Sequence, residues 1–365
     1  MVQANKENMT DISGSAAAAA PVKIGLVGLG RAGWGMHRQE LRGKEEHFRI
    51  EAAFDTLEER RRMAEEAGIR THDCLESLIN DPAIELVDIA TRSSDHYAHG
   101  LLALNAGKDV LMEKPFAQTY EQALLLYEAA AENGCRIFVR HNRRFDPDFL
   151  HVREIIGSGL LGEVYQIRLN RHNYQRRRDW QTIKAFGGGQ LLNWGPHIVD
   201  HGLCLLDSPA ASIWSDLKQV AAAGDAEDHL KIILKGENGR VVDIEISGGI
   251  AIPSPTYQVY GTKGSLTATG REIRIRYLDP DVPLGGIEAD PGTPGAAFGS
   301  TGTYDSGEKL VWIESTLPVQ PEKKYDIWEE LYQAFRGGKP FPIRAEEALE
   351  VVRIIEEVKA GTRFE

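Results

Sequence analysis

The chain has 365 residues, a net charge of −12 and 42% hydrophobic residues, enough length for two cores and an ordinary globular composition. The acidic balance excludes nucleic acid or an anionic membrane as a general partner, although a local basic patch can still hold an anion. Cys74, Cys135 and Cys204 lie far apart with no C-x-x-C spacing, which speaks against a disulfide framework or a zinc knuckle and fits a reducing, cytoplasmic setting.

No apolar run approaches the roughly 18 residues that a membrane span needs. Residues 1–21 are polar and then alanine-rich, with no basic segment leading into an apolar core, so they are expected to be a disordered lead-in and not a signal peptide. From Lys23 a strand runs into Gly28-Leu29-Gly30-Arg31-Ala32-Gly33, with a helical stretch after it. The G-x-G-x-x-G spacing of Gly28, Gly30 and Gly33 permits a tight turn, close approach of a pyrophosphate and packing of helix on strand. A second strand, Arg49 to Phe54, ends in Asp55, 22 residues beyond Gly33. An acid there accepts from a ribose hydroxyl pair and repels a 2′-phosphate, which favours NAD over NADP. Arg60 and Arg61 in the next helix soften that preference, and capping of the helix by Asp55 is compatible with the same role.

Helices Leu57 to Ala67 and Cys74 to Asn80 precede Glu85 to Thr91, a buried type of parallel strand. It empties into the polar loop Arg92-Ser93-Ser94-Asp95-His96. Helix Tyr97 to Ala106 and strand Asp109 to Met112 continue a βαβ alternation that predicts a doubly wound parallel sheet. This strand delivers Glu113-Lys114-Pro115 at its carboxyl end, the edge where ligands bind in such sheets. Pro115 biases Lys114 towards an extended conformation, which aims the amine at one place; an ordinary solvated lysine is the competing reading. Helix Thr119 to Glu132 and strand Arg136 to Val139 complete a nucleotide-binding domain over residues 22–145.

Residues 146–365 are expected to form a second domain for substrate binding and oligomerisation, with the C-terminal helices packing back on the first. Helix Asp148 to Ile156 and strand Glu163 to Asn170 lead to a basic, aromatic loop from Arg171 to Trp180. In that loop Arg176-Arg177-Arg178 is either an acid-binding or subunit contact or a solvated charge run. Tyr174 and Trp180 either stack on a sugar ring or pack in a core. Gly187-Gly188-Gly189 opens a mostly apolar helical run to Leu206. Strands follow at Leu230 to Leu234, Val241 to Ser247, Tyr257 to Tyr260, Ser265 to Thr269 and Glu272 to Tyr277. Turn signals at Glu237-Asn238-Gly239 and Thr262-Lys263-Gly264 predict hairpins. Residues 280–305 are expected to be irregular, and helices Ile327 to Arg336 and Ala345 to Lys359 close the chain.

In a continuous helix, Asn193, His197 and His201 would share one face with Asp200 beside them. Pro196 argues instead for a helix that starts there. His197 suits a general base, since imidazole titrates near neutral pH. A buried structural histidine and a metal ligand paired with His201 are the other readings, the last lacking a third ligand. No metal site is assigned.

These two constellations, in this order, resemble the glucose–fructose oxidoreductase, inositol dehydrogenase and rhizopine-catabolism family of NAD(P)-dependent oxidoreductases. The matching pieces are Gly28 through Gly33, Asp55, Thr91 through His96, Ala106 through Pro115, Asn142 through Pro147, and Gly187 through Asp200. The resemblance implies an N-terminal Rossmann sheet and a C-terminal α+β domain whose large, open, mostly antiparallel sheet pairs subunits into homodimers or homotetramers. It implies NAD held by Gly28, Leu29, Gly30, Arg31, Ala32, Gly33, Asp55, Thr91, Ser93, His96, Glu113 and Lys114, with the nicotinamide near Lys114. The resemblance implies catalysis by Lys114 and His197 and substrate contacts from Lys114, Asn193 and His197; Arg144, Tyr174 and Trp180 are further candidate substrate contacts. Asn193 stands where the family usually has aspartate, so His197 would rely on Lys114 or Asp200. Arg92 and Ser93 stand where proline and asparagine are common. The expected activity is hydride transfer between nicotinamide and a secondary alcohol of a sugar, polyol or glycoside. The alternatives are an enzyme that recycles its NAD through a transient keto-sugar, and a non-catalytic NAD(H) sensor.

Overall fold

The computed structural model describes residues 20–289, 291–292, 308–320 and 326–365. The first sheet is built from β1 (Val22–Val27), β2 (Phe48–Phe54), β3 (Arg70–Thr71), β4 (Leu86–Ile89), β5 (Asp109–Met112) and β6 (Ile137–Val139). Its order is β3-β2-β1-β4-β5-β6, and the neighbours are all parallel. The connecting helices are α1 (Arg38–Glu40), α2 (Glu58–Glu66), α3 (Leu75–Ile79), α4 (His96–Asn105) and α5 (Tyr120–Glu132). β4 is buried along its whole length, as strands covered on both faces are. The Thr119 side chain accepts from Gln122 N and starts α5. Strand order reverses between β1 and β4, so a crevice opens beyond Val27 and Ile89.

The second unit begins with α6 (Pro147–Gly157) and β7 (Val164–His172), followed by α7 (Gln190–Asn193) and α8 (Gly195–Leu206). The remaining strands are β8 (Ala210–Lys218), β9 (His229–Gly236), β10 (Val241–Ser247), β11 (Tyr257–Gly261), β12 (Gly264–Ala268), β13 (Glu272–Leu278) and β14 (Trp312–Pro318), and helices α9 (Ile327–Arg336) and α10 (Ala345–Lys359) end the chain. The sheet order is β14-β13-β12-β11-β7-β10-β9-β8. Only the β7–β10 pair among them is parallel. Alternate residues such as Ile167 and Leu169, Leu230 and Ile232, and Val242 and Ile244 are buried on one face against α8 and α10. α10 joins two cores, placing Ala348 and Val352 against the first sheet and Val351, Ile354 and Val358 against the second.

Two strands have no counterpart in the sequence reading, β8 and β14. Both are edges with few buried residues, so neither carries the alternation that marks a half-buried strand. The apolar run to Leu206 is two helices broken at Trp194, with Pro196 in the first turn of α8, where its missing N–H costs nothing. Asn193, His197 and His201 therefore do not share one continuous helical face. Of the expected excursion, residues 290 and 293–305 lie outside the described residues, and 280–289 form neither helix nor strand.

Candidate active site

The crevice at the strand-order reversal is a cleft of about 780 Å³, within the usual range for small-molecule sites. At one end β1 runs into Gly28, whose φ is +98° and where a Cβ would lie 2.6 Å from Ala90 O. A Cβ on Gly33 would lie 2.0 Å from Gly28 O. Neither position admits a side chain. A Cβ on Gly30 would meet nothing nearer than Arg60 Nη1 at 3.6 Å, so its backbone faces open cleft. The helical stretch beyond is a short π turn, Gly33–His37, running into α1. Asp55, at the end of β2, accepts from Leu29 N (2.8 Å), Leu57 N (2.9 Å) and Arg60 Nη1 (3.1 Å). The backbone cradle and the buried carboxylate fit a dinucleotide, with Gly28, Gly30, Arg31, Ala32 and Asp55 in the wall.

The middle of the cleft is formed by Thr91, Arg92, Ser93, Asp95 and His96. His96 Nδ1 donates to Pro115 O at 2.7 Å, which ties this loop to the Glu113-Lys114-Pro115 turn, whose Lys114–Pro115 peptide is cis. Glu113 Oε1 accepts from His37 Nε2 (3.0 Å) and Arg140 Nη1 (2.9 Å), and its Oε2 from Lys114 N (3.1 Å). Burial would raise the Glu113 carboxyl, but His37 and Arg140 hold it well below the usual carboxylate range. His37 also donates to Asp88 at 2.8 Å; burial opposes its charge, yet Asp88 raises it above the ordinary histidine value. This buried network fixes the backbone from which Lys114 projects.

Lys114 Nζ reaches across the cleft and donates to Asn193 O at 2.9 Å. Burial, helped by Arg31 and Arg143, lowers its ammonium below the ordinary lysine value. His197 projects from the first turn of α8 into the same wall, edge-on to Trp194 with ring centroids 5.7 Å apart. Its Nδ1 is buried without a hydrogen-bond partner, and burial, with Lys114 nearby, holds the ring well below the usual histidine range. The result is a neutral imidazole and a depressed ammonium in one wall. Gln181 Nε2 donates to Asn193 Oδ1 at 3.4 Å and steadies that amide.

Sequence comparison matches residues 22–141 to a profile described as an oxidoreductase family with NAD-binding Rossmann fold, and residues 149–267 to the GFO/IDH/MocA C-terminal domain. The chain belongs to the Gfo/Idh/MocA oxidoreductase family. It is 31% identical over 343 residues to scyllo-inositol 2-dehydrogenase (NADP(+)) IolW of Bacillus subtilis, covering 92% of each chain. It is 31% identical over 230 residues to 1-carboxy-3-chloro-3,4-dihydroxycyclohexa-1,5-diene dehydrogenase of Comamonas testosteroni, covering 62% of this chain and 58% of that one. Among solved structures, an NAD-binding protein from Listeria innocua superposes with a TM-score of 0.78 at 25% identity, covering 93% of this chain and 97% of that one.

Within this Gfo/Idh/MocA chain the cleft gathers Lys114, Trp180, Asn193 and His197, but several expectations need correction. Arg144 is outside the cleft: Nε and Nη2 bond Asp200 at 2.8 and 2.6 Å and Nη1 bonds Glu347 at 2.7 Å, so its donors are spent in a buried ion pair. Asp200 is thereby committed to Arg144 and does not support His197. Tyr174 is 62% exposed and pairs by backbone with Gly249, away from the cleft. Leu29 and Gly33 sit behind the wall, as packing and hydrogen-bonding elements of the turn. His201 stacks on Phe149 at 3.8 Å and donates from Nε2 to Arg143 O at 2.8 Å, also outside the cleft. Of the three arginines only Arg177 lines the cleft, paired with Asp179 at 2.7 Å. Among the described residues no group of three histidine, cysteine or acidic side chains is arranged for a metal. Sequence reasoning missed Arg143, Gln181 and Trp194 as wall residues. Adjacent Arg143 and Arg144 look alike in sequence, and only the 3₁₀ turn Asn142–Phe145 separates them.

Proposed function

We propose that the chain is an NAD-dependent dehydrogenase acting on a secondary alcohol of a sugar or polyol. The observation that carries this reading is the pairing of a depressed lysine and a neutral histidine, Lys114 and His197, in the cleft that begins at the Gly28–Gly33 turn. The nicotinamide, when bound, supplies the hydride acceptor. His197 takes the hydroxyl proton; its neighbour Lys114 disfavours the charged ring, so the proton is passed on and not stored. Lys114 donates to the developing alkoxide, an interaction worth about 3 kcal/mol in such sites. Asn193 orients the hydroxyl through its amide, and Trp180 offers an apolar face to the ring.

Asp55 supports NAD, since its charge opposes a 2′-phosphate. Arg60, bonded to the same carboxylate, works in the other direction, and the Bacillus subtilis relative is named for NADP(+). The same two relatives are named for a polyol and for a carboxylated diol, which supports a hydroxylated ring as substrate. The division near residue 145, a cytoplasmic setting and assembly into a homodimer or homotetramer belong to the same proposal. For assembly the support is Trp214 and Trp312, 52% and 38% exposed on the second sheet.

The test is absorbance at 340 nm with NAD or NADP and a panel of inositols, aldoses, sugar acids and glycosides, with product analysis. NADH formation with one class is expected. Loss of substrate without NADH would replace net oxidation by the recycling chemistry, and tight NADH binding with no substrate consumed would leave a sensor.

A further inference from the structure

Against Trp194, a residue of the cleft wall, a positive charge lacks a carboxylate partner among the described residues. β7 presents Ile167, Leu169 and Arg171 in register on its inner face, and the first two are 0% and 2% exposed. The strand therefore delivers a guanidinium at the end of an apolar face, where charge is costly unless compensated. Arg171 Cζ lies 3.2 Å from the centre of the Trp194 ring, and Arg143 Cζ lies 5.1 Å from the same ring. Trp194 and Arg143 both line the cleft beside His197 and Lys114.

The guanidinium groups here are unequally compensated, with Asp148 as well as Asp146 close to Arg143. Arg143 Nη1 is paired with Asp146 at 3.1 Å, and Arg177 with Asp179 at 2.7 Å. Arg171 has no carboxylate partner among the described residues; its guanidinium lies on the indole. Arg143 Nε is buried with no partner either. Burial and the neighbouring Arg143 lower the Arg171 guanidinium to about 10, still charged at neutral pH. Stacking on an indole offsets part of the cost of such a charge, but two guanidinium groups on one ring repel each other, and an anion between them would remove that repulsion.

We propose that Arg171 and Arg143, held over Trp194, form a carboxylate subsite, and that the substrate is a sugar or cyclitol acid. This rests on the dehydrogenase reading. A singly charged, planar carboxylate matches one uncompensated guanidinium fork; a phosphate monoester shares the anionic chemistry but brings more charge than the subsite lacks.

The experiment uses the full chain with NAD and pairs differing only at one carbon: glucose and glucuronate, galactose and galacturonate, with glucose 6-phosphate as the phosphate arm. Steady-state kinetics and thermal shift on the NADH complex are read together. The acid of at least one pair should be preferred in kcat/KM by about tenfold or more, the scale of one charge-assisted contact. In Arg171→Gln that preference should collapse through KM, with Arg171→Lys retaining part of it. NADH affinity and melting temperature report folding in both variants. Equal or better use of neutral members overturns the carboxylate subsite and leaves the dehydrogenase intact. Preference for the phosphate overturns the carboxylate assignment. If no member of either class reduces NAD while NADH binds, the sugar-acid subsite falls, and the dehydrogenase reading is decided by the inositols and glycosides of the wider panel.

Discussion

At the dinucleotide end of the cleft the working parts are backbone: the turn at Gly28, the packing of Gly33 against Gly28 O, and N–H groups of Leu29 and Leu57 on Asp55. At the substrate end they are side chains gathered from distant segments, with Lys114 meeting Asn193 across 79 residues of chain. The first end is specified by local spacing and tolerates almost no substitution at its glycines. The second is specified by long-range packing and charge balance, so it can change its ligand without changing its fold. One superfamily scaffold thereby carries one cofactor chemistry and many substrates.

The sharpest way to break the first end is Gly33→Ala, since the added carbon would lie 2.0 Å from Gly28 O. NADH affinity, followed by fluorescence, should fall by about a hundredfold or more, or the chain should fail to fold, because backbone cannot yield as a side chain can. Wild-type affinity in a folded variant would contradict the cradle. The second end rests on the buried Arg144–Asp200 pair. Asp200→Ala should lower stability by about 3 kcal/mol in denaturant melts, because it strands a buried guanidinium. A normal melt with a selective loss of kcat would instead make Asp200 a partner of His197.

Glu227 gives the substrate end a pH dependence. It sits under Gly189, accepts from Leu191 N at 2.8 Å, and burial pushes its carboxyl up to about 7. For an acid raised above its unfolded value of 4.5, the folded state holds the extra proton, so stability falls as pH rises through that interval. Glu227→Gln should abolish this slope, which is worth roughly 3 kcal/mol by linkage; melting curves at pH 5 and pH 8 report it. An unchanged slope would place the titrating group elsewhere. The smallest effect is expected at Arg60, which is half-exposed and bonded to Asp55. Arg60→Ala should sharpen the preference for NADH over NADPH by about fivefold, roughly 1 kcal/mol, in direct titrations; a relaxed preference would mean Arg60 does not face the 2′ position.

The parallel sheet, the two terminal helices and the glycine turn were legible because each is written in local period or spacing. The edge strands β8 and β14 were not, since an edge needs little apolar alternation. Lys114 and His197 stood out through the flanking proline and glycines, and both line the cleft. Arg144 was expected in the cleft, whose wall holds its neighbour Arg143 instead, a difference made by one turn of backbone and by Asp200 and Glu347 from distant helices. Tyr174 was misplaced because an aromatic in a loop carries no sign of which way the loop faces.

The most direct measurement is turnover of the substrate found by the panel, with Lys114→Ala, His197→Ala and the double variant, alongside NADH affinity. Each single change should lower kcat by about a hundredfold while NADH still binds, and the double variant should be little worse than the singles, since the two groups handle one proton. Turnover that survives the double substitution at near wild-type rate would contradict the assignment.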